Sequence, residues 1–161
     1  MMFNWLKSKP VKPKSLGQYG EEVAQEEYKK RGYKIIAANF FNKKGLRLGE
    51  IDFIATDAKT IVFVEVKTRS SRLGKFGTPE ESVNVFKQRK ILKAVKLFII
   101  SHQKYAAFNP RIDVCVIIAS AVDKHPESVT ILPSAVEDWN WPHEAELLDE
   151  RCSSFLLNTS N

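Results

Sequence analysis

The run Ile61-Val62-Phe63-Val64-Glu65-Val66 restricts this chain more than any other stretch. Its β-branched and aromatic residues follow one another without the polar alternation of a half-exposed strand, so it reads as a strand buried on both faces. An unpaired Glu in such a strand costs several kcal/mol, and Glu65 therefore needs a partner. The preceding stretch, Gly49-Glu50-Ile51-Asp52-Phe53-Ile54-Ala55, is an apolar run interrupted in the same way by Glu50 and Asp52. If the two runs pair antiparallel around a turn at Asp57-Ala58-Lys59-Thr60, with Asp57 opposite Thr60, then Asp52 falls opposite Glu65 and Glu50 opposite Lys67. The side-chain period of two then groups Glu50, Asp52 and Ile54 on one face of the first strand, and Ile61, Phe63, Glu65 and Lys67 on one face of the second. A slip of one residue would set Asp52 against Val64 and separate the charges.

In the first register two carboxylates meet with their Cβ atoms roughly 4.5 to 5.5 Å apart, and an ammonium stands two strand positions away. Such a pair repels unless a cation lies between the two groups. A hard divalent ion such as Mg²⁺ takes one or two carboxylates together with waters and phosphate oxygens, which points to phosphodiester chemistry. Lys67 would then orient or help deprotonate the attacking water, or stabilise charge developing on the phosphate. The bland alternative is a strand that shows a polar face to water, and a loose D-x(n)-E-x-K pattern does not by itself exclude it.

With 161 residues the chain fits one domain of ordinary size. Its net charge of +6 and pI near 9.3 favour an acidic partner, nucleic acid before membrane, since no long apolar span is present. The charge is uneven. Residues 137–161 hold six acids (Glu137, Asp138, Glu144, Glu146, Asp149, Glu150) against Arg151 alone, a net of −5 that leaves +11 on residues 1–136. Cys115 and Cys152 are too few for a disulfide framework and have no metal-ligand spacing. No stretch has signal-peptide or membrane-spanning character, so a cytoplasmic location is expected.

Three regions follow: a basic, proline-broken arm at 1–14, a central domain at 15–136, and the acidic tail at 137–161. Ser15 and Gln18 form a capping-box pattern that opens a helix closed by Gly32. Gly17, Gly20, Glu21, Ala24 and Tyr28 share one stripe of that helix, and its small residues permit close approach to a sheet. Spacing leaves Glu21 open to two readings, an acid aimed at the Asp52–Glu65 pair or a solvated residue at the stripe's edge. Tyr33 to Phe40 reads as a strand, and Asn42-Lys43-Lys44-Gly45 as the turn into the next. Thr68 to Thr78, with Arg69, Arg72 and Lys75, reads as a basic loop, either closing over a phosphate backbone or simply solvated. A helix follows to about His102, capped at Thr78 or Asn84, with a basic face of Lys87, Arg89, Lys93 and Lys96. Arg111 to Ala119 and Ser128 to Leu132 read as the last strands. His102, His125 and His143 have no spacing that suggests a dyad or a zinc site.

Taken together, Gly17-x-x-Gly20-Glu21, Asn39, Gly49-Glu50-Ile51-Asp52, Val62-Phe63-Val64-Glu65-Val66-Lys67-Thr68-Arg69, Phe76-Gly77, Lys87 and Arg111-Ile112-Asp113-Val114 resemble the YraN-like family of small bacterial proteins. That family is regarded as endonucleases of the PD-(D/E)XK type, distantly similar to archaeal Holliday-junction resolvases. The likeness runs over about residues 15–135. It implies an α/β, restriction-endonuclease-like three-layer fold with a central mixed sheet flanked by helices. It further implies that Asp52 and Glu65 bind Mg²⁺ or Mn²⁺, that Lys67 is the catalytic lysine, and that Glu21 matches a helical acid some resolvase-like nucleases add. Ile112 stands where an aromatic is usual, and the tail after about 137 lies outside the pattern. The nominal proline before the motif aspartate is missing, as in the family itself.

The expected function is a Mg²⁺- or Mn²⁺-dependent endonuclease acting on DNA, with branched or structured substrates favoured by the resemblance. Arg69, Arg72, Lys75, Lys87 and Arg89 would hold the backbone. The competing class is a nucleic-acid-binding adaptor that keeps the fold without hydrolysis. Junction-cleaving relatives act as symmetric dimers, so the resemblance raises a homodimer, for which the sequence itself offers no surface.

Overall fold

The computed structural model of the protein describes residues 14–40, 50–71, 85–120, 122–123 and 125–136. Residues 1–13 of the basic arm, the turn at 42–45 and the acidic tail fall outside the described residues. The elements in chain order are α1 (Leu16–Lys30), β1 (Lys34–Phe40), β2 (Ile51–Thr56), β3 (Thr60–Ser70), α2 (Val85–Ser101), a 3₁₀ turn at Gln103–Tyr105, β4 (Asn109–Ala119) and β5 (Pro126–Leu132).

Local chemistry sets the boundaries. Ser15 Oγ accepts from the Gln18 amide at 3.2 Å while Gln18 Oε1 accepts from the Ser15 amide at 3.0 Å, which completes the capping box at the start of α1. The chain leaves α1 through Gly32, whose φ of +88° is the left-handed conformation that glycine adopts without strain. Between β2 and β3, Asp57 Oδ1 accepts from the amides of Lys59 (2.8 Å) and Thr60 (2.7 Å), and the Asp57 amide donates to the Thr60 carbonyl at 3.1 Å. This Asx-stabilised turn fixes the hairpin register in the way the charge pattern required.

The strands lie in the order β1-β2-β3-β4-β5, with every neighbouring pair antiparallel except β3 and β4. That single parallel pair follows from the α2 crossover between them. The sheet is covered on both sides. Ala24 and Tyr28 of α1 pack with Phe53, Ala55, Val62, Val64, Cys115 and Ile117. Ile91, Ala94, Val95, Phe98 and Ile99 of α2 pack with Ile54, Ile61, Phe63, Ile112 and Val114. The five-stranded mixed sheet between α1 and α2 is consistent with the restriction-endonuclease-like layering that the resemblance implied. Residues 61–65 of β3 are all buried, as expected of a strand with cover on both faces.

One expectation needs correction. Thr68, Arg69 and Ser70 belong to β3, where they face Ile117, Ile118 and Ala119 of β4, and not to a loop beginning after Lys67. The ladder that holds them is supplied by a strand much later in the chain, which the local composition TRSS does not reveal.

Candidate active site

The hairpin pairs Phe53 with Val64, Ile54 with Phe63, Ala55 with Val62 and Thr56 with Ile61. The same register carried one step further sets Asp52 beside Glu65, the pairing expected from the sequence. At that step the regular ladder gives way: Oδ2 of Asp52 accepts the Val66 amide at 2.6 Å. Ile51 and Phe53, two residues apart, pack on opposite sides of the sheet, so strict alternation is broken across Asp52. Asp52 is thereby turned toward β3 as a hydrogen-bond acceptor rather than continuing the face of Ile54. Glu50 lies before β2, exposed, and is not part of the paired strand.

On β3, Val66 packs into the α1-side core and Thr68 abuts Gly20 of α1. Alternation then turns Glu65 and Lys67 toward the side that carries α2. Glu65 is only 6% exposed, and its Oε1 receives Lys67 Nζ at 2.5 Å. A charge-assisted bond this short, between two side chains largely shielded from water, holds both groups in place.

The acids sense one another. Burial above all, and then the Glu65 carboxylate, push the Asp52 carboxyl up to about 6, against the opposing pull of the Val66 amide; Glu21 raises it further and Lys67 lowers it. Glu21, half-buried on α1, is also raised, first by burial and then by Glu50, Glu22 and Glu65. Glu21, Glu50, Asp52 and Glu65 therefore share one negative field at the end of the sheet where α1 begins.

Glu21 reaches this field because α1 comes very close to β3. A Cβ placed on Gly20 would lie 1.8 Å from Thr68 Oγ1 and 2.8 Å from Thr68 Cβ. Only a residue without a side chain fits there. The sequence marked the small-residue stripe but could not show that its partner is Thr68.

Two adjacent carboxylates, one deeply buried and the other pushed toward neutrality by its surroundings, form an oxygen donor set that fits a hard divalent cation. Asp52 and Glu65 would hold it. Among the described residues no group of three or more His, Cys, Asp or Glu side chains is arranged to do so. Glu21 shares the electrostatic field of the pair. Arg69 is half-buried in β3. Arg72 and Lys75, and the side chains of Lys87 and Arg89, lie outside the described residues. No helix among the described residues is long and apolar enough to cross a membrane.

A second polar group, missed by sequence reasoning as a unit, sits deeper between α1 and β4. Asp113, fully buried, accepts from Tyr28 Oη at 2.7 Å, from Arg111 Nε and Nη2 at 2.9 Å each, and from the Ser134 amide at 3.2 Å. Arg111 Nη2 also donates to Tyr33 Oη at 3.2 Å. This network locks α1, β4 and the turn after β5 together and is filled by its own partners. The signal in the sequence was the Arg-x-Asp spacing on one strand face; its tyrosine partners lie far away in the chain.

Residues 20–117 match the model of the uncharacterised protein family UPF0102. A UPF0102 protein of Caldanaerobacter subterraneus is 41% identical over 123 residues, covering 76% of this chain and 91% of the relative. One from Caldicellulosiruptor bescii is 48% identical over 101 residues, covering 63% of this chain and 80% of the relative, and one from Clostridium botulinum is 38% identical over 124 residues, covering 77% and 95%. The matched span runs from Gly20 into β4 and so contains Glu21, Asp52, Glu65 and Lys67. The chain belongs to the uncharacterised protein family UPF0102, the YraN-like family.

Proposed function

We propose that this protein is a Mg²⁺- or Mn²⁺-dependent endonuclease that hydrolyses phosphodiester bonds in DNA, with branched or otherwise structured DNA as its substrate class. The observation that carries this reading is the apposition of partly buried Asp52 and buried Glu65 on neighbouring strands, with Lys67 2.5 Å from Glu65. A divalent cation, when bound, supplies Lewis-acid polarisation of the scissile phosphate and a more acidic water. The chain's own residues do the rest. Asp52 and Glu65 present hard oxygen ligands from two neighbouring strands, and the Val66 amide holds the Asp52 carboxylate in place. Lys67, held by Glu65, places an ammonium where negative charge develops on a phosphate. Glu21 adds an acid with a raised proton affinity at the rim of the pair, suited to ordering a water.

A second reading rests on the same ion pair. Lys67 already balances Glu65 within the protein, so the fold can exist with little demand for an ion, as a non-catalytic nucleic-acid adaptor would require. The two readings separate in a cleavage panel of duplex, single-stranded, flap and four-way DNA with Mg²⁺ or Mn²⁺, run beside Lys67→Ala. The nuclease reading expects cuts that vanish in Lys67→Ala. Binding with no cleavage of any substrate supports the adaptor.

A further inference from the structure

The two helices bring opposite charge to the two sides of the sheet. α1 carries Glu21, Glu22, Glu26 and Glu27 against Lys29 and Lys30, a net of −2. α2 carries Lys87, Arg89, Lys90, Lys93 and Lys96 with no acid, a net of +5. The acid-free stretch is longer than the helix: no Asp or Glu occurs between Glu81 and Asp113, while Lys104 and Arg111 add two more cations.

The cations near α1 are balanced locally. Lys14 meets Glu22 at 2.7 Å, Lys29 meets Glu26 at 2.6 Å and Arg31 meets Glu27 at 3.1 Å. The α2 lysines that face outward differ. Ile91, Ala94, Val95, Phe98 and Ile99 are buried against the sheet, which leaves Lys90, Lys93 and Lys96 exposed on the outer side. Among the described residues none of these three forms an ion pair. Their spacing of three residues advances each by about 4.5 Å along the helix axis, so the ammonium groups form a row. Lys104, also exposed, extends the basic surface beyond the end of α2.

We propose that this outer face of α2, built from Lys90, Lys93 and Lys96 and extended by Lys104, is a docking surface for the phosphate backbone of duplex DNA. The inference rests on the nuclease reading and names where its substrate lies. Two features favour a polynucleotide. The cations form a row and not a pocket, which matches a rod carrying one negative charge per about 1.7 Å. No acid along the helix opposes a polyanion. A lipid surface fits less well, because Leu97 and Ile100, the apolar residues nearest the lysines, are partly buried and offer little area for insertion.

The test is the salt dependence of affinity for a short labelled duplex, measured by anisotropy in metal-free buffer so that nothing is cut. Replacing Lys90, Lys93 and Lys96 together by Gln should lower the slope of log affinity against log salt by about 2 to 3, at roughly 0.9 for each phosphate that is no longer neutralised. The matched control, Lys29→Gln with Lys30→Gln on α1, should leave the slope unchanged. Far-ultraviolet circular dichroism of both variants checks that the exposed substitutions leave the fold intact. An unchanged slope in the α2 variant, no duplex binding by wild-type protein at low salt, or binding confined to phosphatidylserine vesicles would each overturn the proposal. The nuclease reading fails separately. Protein that binds through α2 and never nicks loses that reading alone; protein that nicks while the α2 variant binds as wild type loses only the docking surface.

Discussion

The amide of Val66 donates to Oδ2 of Asp52 over 2.6 Å, at the step where the β2–β3 ladder ends. That bond keeps one carboxylate beside another, Glu65, although burial and mutual repulsion oppose two negative charges in the same place. The unfavourable arrangement is the reason to look for chemistry here, since protein sites that hold like charges together do so at a cost in stability.

The cost has a sign and a pH window. The Asp52 carboxyl rises from an ordinary value of 3.8 to about 6 on folding, so the folded protein holds this proton more tightly than the unfolded chain. The associated stability is fully present below the unfolded value and is lost as pH climbs through the folded one. Asp52→Asn removes the penalty while keeping an acceptor for the Val66 amide. Metal-free Asp52→Asn should therefore be more stable than wild type at neutral pH, by up to about 3 kcal/mol on a scale of ~1.4 kcal/mol per pH unit. The gap should open between about pH 4 and pH 6 and stay level above. Urea unfolding of both proteins across pH 4 to about 8 checks this, and a gap that ignores pH contradicts it.

Lys67→Ala removes the ammonium bonded to Glu65, which also draws on Asp52. The metal-free variant should be less stable than wild type at neutral pH, because a nearly buried Glu65 loses the charged partner 2.5 Å away, a change that costs up to about 3 kcal/mol when one member of a buried pair is removed. A divalent ion then supplies charge that Lys67 no longer does. Thermal unfolding with and without Mg²⁺ should show a larger increase for Lys67→Ala than for wild type. Equal increases would mean that the ion does not answer to these carboxylates.

Gly20→Ala tests the approach of α1 to β3. The added carbon meets Thr68 within 1.8 Å of its hydroxyl oxygen and 2.8 Å of Cβ, and the second of these cannot be relieved by rotating a side chain. Alanine normally favours a helix over glycine by about 1 kcal/mol, yet overpacking of this kind costs about 1 to 3 kcal/mol, and here the steric loss should win. A lowered melting temperature is expected, with smaller loss in the Gly20→Ala/Thr68→Gly double variant. Unchanged or raised stability would show that the helix stands farther from the strand.

Asp113→Ala should be among the most damaging single changes, at about 3 to 5 kcal/mol, because it strips Arg111 of its carboxylate and leaves the Tyr28 hydroxyl and the Ser134 amide unanswered. Tyr28→Phe removes one hydrogen bond to a charged acceptor and should cost about 1.5 to 3 kcal/mol. Chemical denaturation gives the ranking, and the reverse order would contradict the central place of Asp113 in the network.

Much of this was legible in the chain because local rules and distant packing agreed. Asp57 encoded its own turn, and that turn carried the register that puts Asp52 next to Glu65; Ser15 and Gln18 likewise encoded the start of α1. What stayed hidden depends on partners far apart in sequence. The extension of β3 through Thr68, Arg69 and Ser70 is held by β4, the fit of Gly20 depends on Thr68, and Asp113 draws donors from Tyr28 and Ser134 as well as from the neighbouring Arg111. The loss of strict alternation at Asp52 was also unreadable, because a period-2 pattern assumes the regular strand that the site interrupts.

The most direct test of the central claim is the nicking of supercoiled plasmid by purified protein in Mg²⁺ or Mn²⁺, with Asp52→Ala as the matched variant. The nuclease account predicts relaxed and linear products from wild type, none with EDTA, and none from Asp52→Ala despite retained DNA binding. Nicking by Asp52→Ala at the wild-type rate, or intact plasmid with wild type in both metals, would contradict it.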